Sequence, residues 1–164
     1  MADQKLSMLF ASDPAADFDG EEIFETTQGG ATKGGKLKGL KRLMLIPLAI
    51  ACSDETTALT TGTNKAKFIN PYPTAFNVVD VVASLSTGQT GGSTFTVDIN
   101  EAGVSILSTK ITIDNGETTS RTAVAAPVVS DGSIAAGAEV GVDIDQVGDG
   151  TAKGLKIYLL GYPT

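Results

Sequence analysis

TFTVDIN (Thr94 to Asn100), KITID (Lys110 to Asp114) and VGVDIDQ (Val140 to Gln146) alternate apolar and polar residues with a period of two. Alternation of that kind puts successive side chains on opposite faces of a half-buried strand. Outward from these segments, between about Ile50 and Tyr162, the chain is a train of short Val-, Ile- and Thr-rich blocks, broken at short intervals by Gly, Asn or Asp. Many short strands with turn signals between them predict an all-β sandwich or barrel over residues 44–164, with an antiparallel, jelly-roll-like β-sandwich of about eight strands as the expectation.

Composition narrows the chemistry. Of 164 residues 41% are hydrophobic, only 5% are aromatic and none is Trp, so the core has to be packed by Val, Ile, Leu and Ala. His is absent, which removes the commonest general base and the commonest metal ligand together. Cys52 is the single cysteine and ends the apolar run Leu43 to Cys52 (LMLIPLAIAC), where it reads as a small buried hydrophobe and not as a nucleophile. That run is about half of the roughly 20 residues needed to cross a bilayer. It is expected to be the first core strand, with Pro47 at an edge or a bend, and no membrane partner is expected. A formal net charge of -7 opposes a sequence-independent grip on nucleic acid, which needs a basic face. The polar, acidic N-terminus has no cationic start followed by a long apolar stretch, so no signal peptide is expected.

Charge divides the chain. Before Gly29 stand Asp3, Asp13, Asp17, Asp19, Glu21, Glu22 and Glu25 against Lys5; from Gly29 to Leu43 stand Lys33, Lys36, Lys38, Lys41 and Arg42 with no acid and several glycines. Neither strip has sustained amphipathic periodicity, and residues 1–43 are therefore read as an extended N-terminal arm that orders on a partner. Its candidate anchors are Leu9, Phe10, Phe18, Ile23 and Phe24, with Lys33, Lys36, Lys38, Lys41 and Arg42 steering it to acidic edges of neighbouring subunits.

Several fragments imitate functional motifs. GATKGGKL (Gly30 to Leu37) has the spacing of a phosphate-binding loop, but Leu37 stands where a Ser or Thr hydroxyl should hold magnesium, and a flexible basic linker is the expectation. Asp98-x-Asn100-x-x-Gly103 and Asp143-x-Asp145-x-x-Gly148 imitate the start of a calcium loop, yet their twelfth positions are Thr109 and Gly154 and cannot close one. Both are expected to be hairpin turns instead, over Asn100 to Gly103 and Gly148 to Lys153. Asp98, Asp143 and Asp145 fall on the strand face opposite the core, where they are expected to be solvated or interface-facing; a paired-acid glycosidase site would also need an aromatic-floored cleft. No cofactor, bound metal or enzymatic activity is expected.

TTALTTGTNKAKF (Thr56 to Phe68), the stretch from Pro71 to Ser120 with VDINEAGVSIL and STKITID, and DIDQVGDGTAKGLKIYLLG (Asp143 to Gly161) together resemble a β-sandwich module of tailed-bacteriophage virions. That module occurs in capsid decoration (cement) proteins and at tail-fibre tips, and the resemblance covers about two-thirds of the chain. It implies a jelly-roll-like sandwich, no catalysis and a homo-oligomer, often a trimer. The favoured function is capsid decoration, with the major capsid protein as partner, in a virion assembled in the host cytoplasm. The alternative is a tail fibre, adaptor or receptor-binding protein, for which exposed aromatics are in thin supply. A carbohydrate-binding module is opposed by the absence of Trp.

Overall fold

The computed structural model describes residues 23–28, 31–36 and 45–164, and divides between Met44 and Leu45 into two units. In the first unit β1 (Ile23–Gln28) and β2 (Ala31–Lys36) pair antiparallel, from Ile23 opposite Lys36 to Gln28 opposite Ala31. Within the segment read from the sequence as an extended arm with a basic linker, the described residues form a hairpin. Two residues, Gly29 and Gly30, separate the strands, a length and composition suited to tight hairpins.

The second unit is an antiparallel sandwich. One sheet is built from β3 (Ile46–Ala51), β5 (Phe76–Ser84), β11 (Ser133–Ile134) and β13 (Lys156–Pro163), in the order β11-β5-β13-β3. The other contains β4 (Gly62–Ile69), β6 (Phe95–Glu101), β7 (Val104–Ser105), β9 (Ile111–Ile113) and β12 (Glu139–Gln146), in the order β4-β12-β6-β7, with β9 also on β6. β8 (Leu107–Thr109) and β10 (Val128–Val129) form a small separate ribbon. The chain crosses between the two main sheets at each step from β3 to β6 and again from β11 to β13, which gives the sandwich its jelly-roll-like winding. The helix among the described residues is a single 3-10 turn, Ser120–Thr122, and no described helix is long and apolar enough to cross a membrane.

Both sheets turn their alternate residues into one core. Phe95, Val97 and Ile99 of β6 and Val140, Val142 and Ile144 of β12 meet Val81 and Ala83 of β5 and Ile157 and Leu159 of β13, all essentially without solvent exposure. The alternation quoted at the outset is therefore the core pattern. β5 breaks it: Val78 pairs with Gly161 but Asp80 pairs with Leu160, so Val79 is an extra, bulged residue. The inward set steps from Phe76 and Val78 to Val81 and Ala83, as a bulge requires. Pro47 lies on β3, which is hydrogen-bonded only to β13 among the described strands. There its missing N–H interrupts no central ladder.

Of the two expected hairpins, the first forms. Ala102 (φ 50°) and Gly103 (φ 81°) link β6 to β7 in a two-residue turn with both central residues left-handed. The second does not. β12 and β13 belong to different sheets, and Gly148 to Lys153 lies in the link that carries the chain across the sandwich.

Candidate interaction surface

The outer face of the five-stranded sheet gathers the strand carboxylates. Asp98 and Asp143 are direct cross-strand neighbours, and Asp145 follows two residues on. Lys110, between β8 and β9, reaches over this face and ion-pairs with Asp145 Oδ2 at 2.7 Å and Asp98 Oδ2 at 3.1 Å. Those two contacts, Asp145 first, raise the Lys110 pKa above its ordinary value. Asp98, expected to be solvated or interface-facing, is 5% exposed, because the Lys110 ammonium and the Ser105 hydroxyl, which donates to Asp98 Oδ1 at 2.6 Å, close over it. Asp143 accepts the backbone N–H of Asn64 at 2.6 Å. The acids are thus engaged in holding neighbouring strands together. Asp98 and Asn100 stand in β6 and Asp143 and Asp145 in β12, in extended backbone and not in a loop that could wrap a cation.

The loop ends are tied by side chains too. Asp149 accepts the N–H and hydroxyl of Thr90 through one oxygen and those of Thr151 through the other. The hydroxyls of Thr151 and then Thr90 hold its pKa well below the ordinary carboxylate range. Asp54 is lowered likewise, chiefly by the backbone N–H of Thr57 and that of Thr56. Asn70, 2% exposed, donates to the carbonyls of Thr74, Ile134 and Ala135 and fastens the turn before β5 to the end of β11. Gln89, wholly buried, donates to Ser93 O at 2.8 Å. None of these ties could be read from the sequence, since the partners are distant along the chain or indistinguishable from other turn residues.

The opposite outer face, on the four-stranded sheet, has another character. Val82, Tyr158 and Ala49 form one cross-strand row, and Asp80, Leu160 and Pro47 the next. Val79, in the bulge, is exposed beside them. The sandwich therefore presents an ionic face and a largely apolar one.

Of the arm anchors proposed from the sequence, Leu9, Phe10, Phe18, Lys38, Lys41 and Arg42 lie outside the described residues. Ile23 and Phe24 occupy β1, Lys33 and Lys36 occupy β2, and the register sets Ile23 opposite Lys36 and Thr26 opposite Lys33. Cys52 is half-buried against the core, and burial pushes its thiol pKa up to about 11, so little thiolate forms at neutral pH. Comparison with family models, with curated proteins and with solved structures yields no match.

Proposed function

We propose that the chain is a non-enzymatic structural protein of a tailed-bacteriophage virion: a capsid decoration protein that clamps neighbouring capsid subunits through its sandwich and its N-terminal segment. The observation that carries this reading is how the polar groups of the sandwich are used. Asp98, Asp149 and Asn70 are spent on fastening strands and loop ends to one another, as suits a rigid load-resisting module. The residue pattern resembling virion sandwich modules supports the same reading, and with it assembly as a homo-oligomer, a trimer in the first instance.

Within this scheme the first 43 residues attach the sandwich to the major capsid protein. Ordering a chain of that kind costs on the order of 1–2 kcal/mol per residue in backbone entropy, so several apolar anchors have to be buried on the partner. Leu9, Phe10, Phe18, Ile23 and Phe24 are those anchors. Deletion of residues 1–43 tests this: the remaining sandwich folds and self-associates, while its retention on particles falls at least about 100-fold. Undiminished decoration by the truncated chain would assign attachment to the sandwich instead.

A further inference from the structure

An asparagine followed by glycine is chemically fragile, because the glycine nitrogen, unhindered by any side chain, can attack the asparagine amide carbon without an enzyme. Of the five asparagines in the chain, Asn115 alone precedes Gly. Asn64, Asn77 and Asn100 precede Lys, Val and Glu, and Asn70 precedes a proline, which has no N–H to give. Asn115 and Gly116 are both exposed, at the centre of the turn that leaves β9, which the Glu117 N–H closes on Asp114 O at 3.1 Å. Water therefore has free access to the pair.

The same two residues form a latch. Gly116 N–H donates to Gln89 O at 2.8 Å, and Asn115 Nδ2 donates to Gly92 O at 2.8 Å. Both acceptors lie in the loop between β5 and β6, so the attacking nitrogen and the group it would displace are each held on a neighbouring segment. That loop is itself tied down, by Gln89 Nε2 on Ser93 O and by Thr90 on Asp149. Attack requires the Gly116 nitrogen to shed its proton and turn onto the Asn115 side chain, which the bond to Gln89 O opposes.

The geometry points to Asn115 as a self-modification site gated by the β5–β6 loop: the closed latch keeps the residue intact, and each opening of the loop exposes it to irreversible deamidation. In the open state the Gly116 nitrogen bonds to Asn115 Cγ, the Cγ–Nδ2 bond breaks, and the nitrogen leaves as ammonia with the Gly116 proton. Water then opens the resulting imide ring. Cleavage at Cγ leaves aspartate at position 115, and cleavage at the main-chain carbonyl leaves isoaspartate. Neither product rebuilds the latch. Aspartate has no Nδ2 to donate and sets a carboxylate against the Gly92 carbonyl, while isoaspartate adds a methylene to the backbone of a two-residue turn and carries the Gly116 N–H away from Gln89 O. Gln89 is wholly buried, so the loss reaches the packed end of the sandwich. The reaction is one-way and removes the contact that prevented it, whatever assembly the chain serves.

The test is incubation of the full chain at neutral pH, folded and in urea, with the Asn115 peptide resolved into asparagine, aspartate and isoaspartate forms by mass spectrometry. Folded wild type converts at least about tenfold more slowly than the urea-unfolded chain, because only the open fraction reacts. Thr90→Ala, which loosens the loop without touching the turn, converts at least about fivefold faster than wild type. No conversion in urea overturns the site, equal rates in folded and unfolded wild type overturn the latch, and a folded Thr90→Ala chain converting at the wild-type rate overturns the gating by the loop. Should Thr90→Ala lose its strand signal in circular dichroism, Asn115→Asp decides the matter: hydrogen exchange at the Gly116 amide rises at least about tenfold, whereas unchanged exchange shows that the latch survives its product and overturns the one-way device.

Discussion

Thr90 gives both its backbone N–H (3.0 Å) and its hydroxyl (2.7 Å) to one carboxylate oxygen of Asp149, 59 residues later in the chain. The tie joins the loop before β6 to the link between β12 and β13. Because it lowers the Asp149 pKa, its contribution is fully present above the ordinary carboxylate pKa of about 3.9 and is lost as pH falls toward the folded-state value. Asp149→Asn therefore lowers Tm at pH 7, and the gap to wild type closes as the solution is acidified below about pH 4. A gap of constant size across that range would contradict the assignment.

Gly148, next to Asp149, has φ 58°, and a Cβ there would overlap Gln89 Oε1 and the carbonyl of Ser93. Gln89 is wholly buried and cannot swing into solvent. Gly148→Ala is expected to cost about 2–3 kcal/mol in urea unfolding, from left-handed strain and displacement of a buried amide together. A loss within the range of ordinary surface substitutions would mean that the Gln89 side chain yields readily.

Ala102 occupies the first left-handed position of the β6–β7 turn, with φ 50°. The left-handed conformation costs an L-residue roughly 1–2 kcal/mol, and Asn tolerates it best after Gly. Ala102→Asn should stabilise the chain by about 0.5–1 kcal/mol and delay thermal unfolding. An unchanged or lowered Tm would show that this turn relaxes in solution.

Lys110 is the cation over Asp98. Lys110→Met leaves a carboxylate that is 5% exposed without its charge partner, at a cost of about 1–3 kcal/mol at pH 7. Since the Lys110 pKa is raised, its contribution is complete below the ordinary lysine value of about 10.4 and disappears as pH rises through the folded-state value. Wild-type stability in the variant at neutral pH would make the bridge a surface ornament.

Where the sandwich was legible in the sequence, one face of a strand was buried and its inward residues kept a period of two. β6 and β12 show Val97, Ile99, Val142 and Ile144 inward at every second position, as their alternation indicates. In β5 the bulge at Val79 shifts the phase, so FNVVDVVAS carries no single alternation to read. The link after Gln146 looks like a hairpin because Gly, Asp and Thr suit either role. Only the sheet order shows that β13 goes to the other sheet. Asp98 was read as solvated or interface-facing; its cover comes from Lys110, twelve residues on, and local pattern does not report that a long side chain folds back over the face. The ionic and apolar outer faces were equally hidden, since strand pairing alone brings Val82, Tyr158 and Ala49 into one row.

The central claim, decoration of a capsid, is tested most directly by the copy number of the chain in purified virions, measured by quantitative mass spectrometry against the major capsid protein. Decoration predicts on the order of hundreds of copies, in simple proportion to the symmetric capsid lattice. Roughly a dozen copies, matching a tail structure, or none at all, would contradict it.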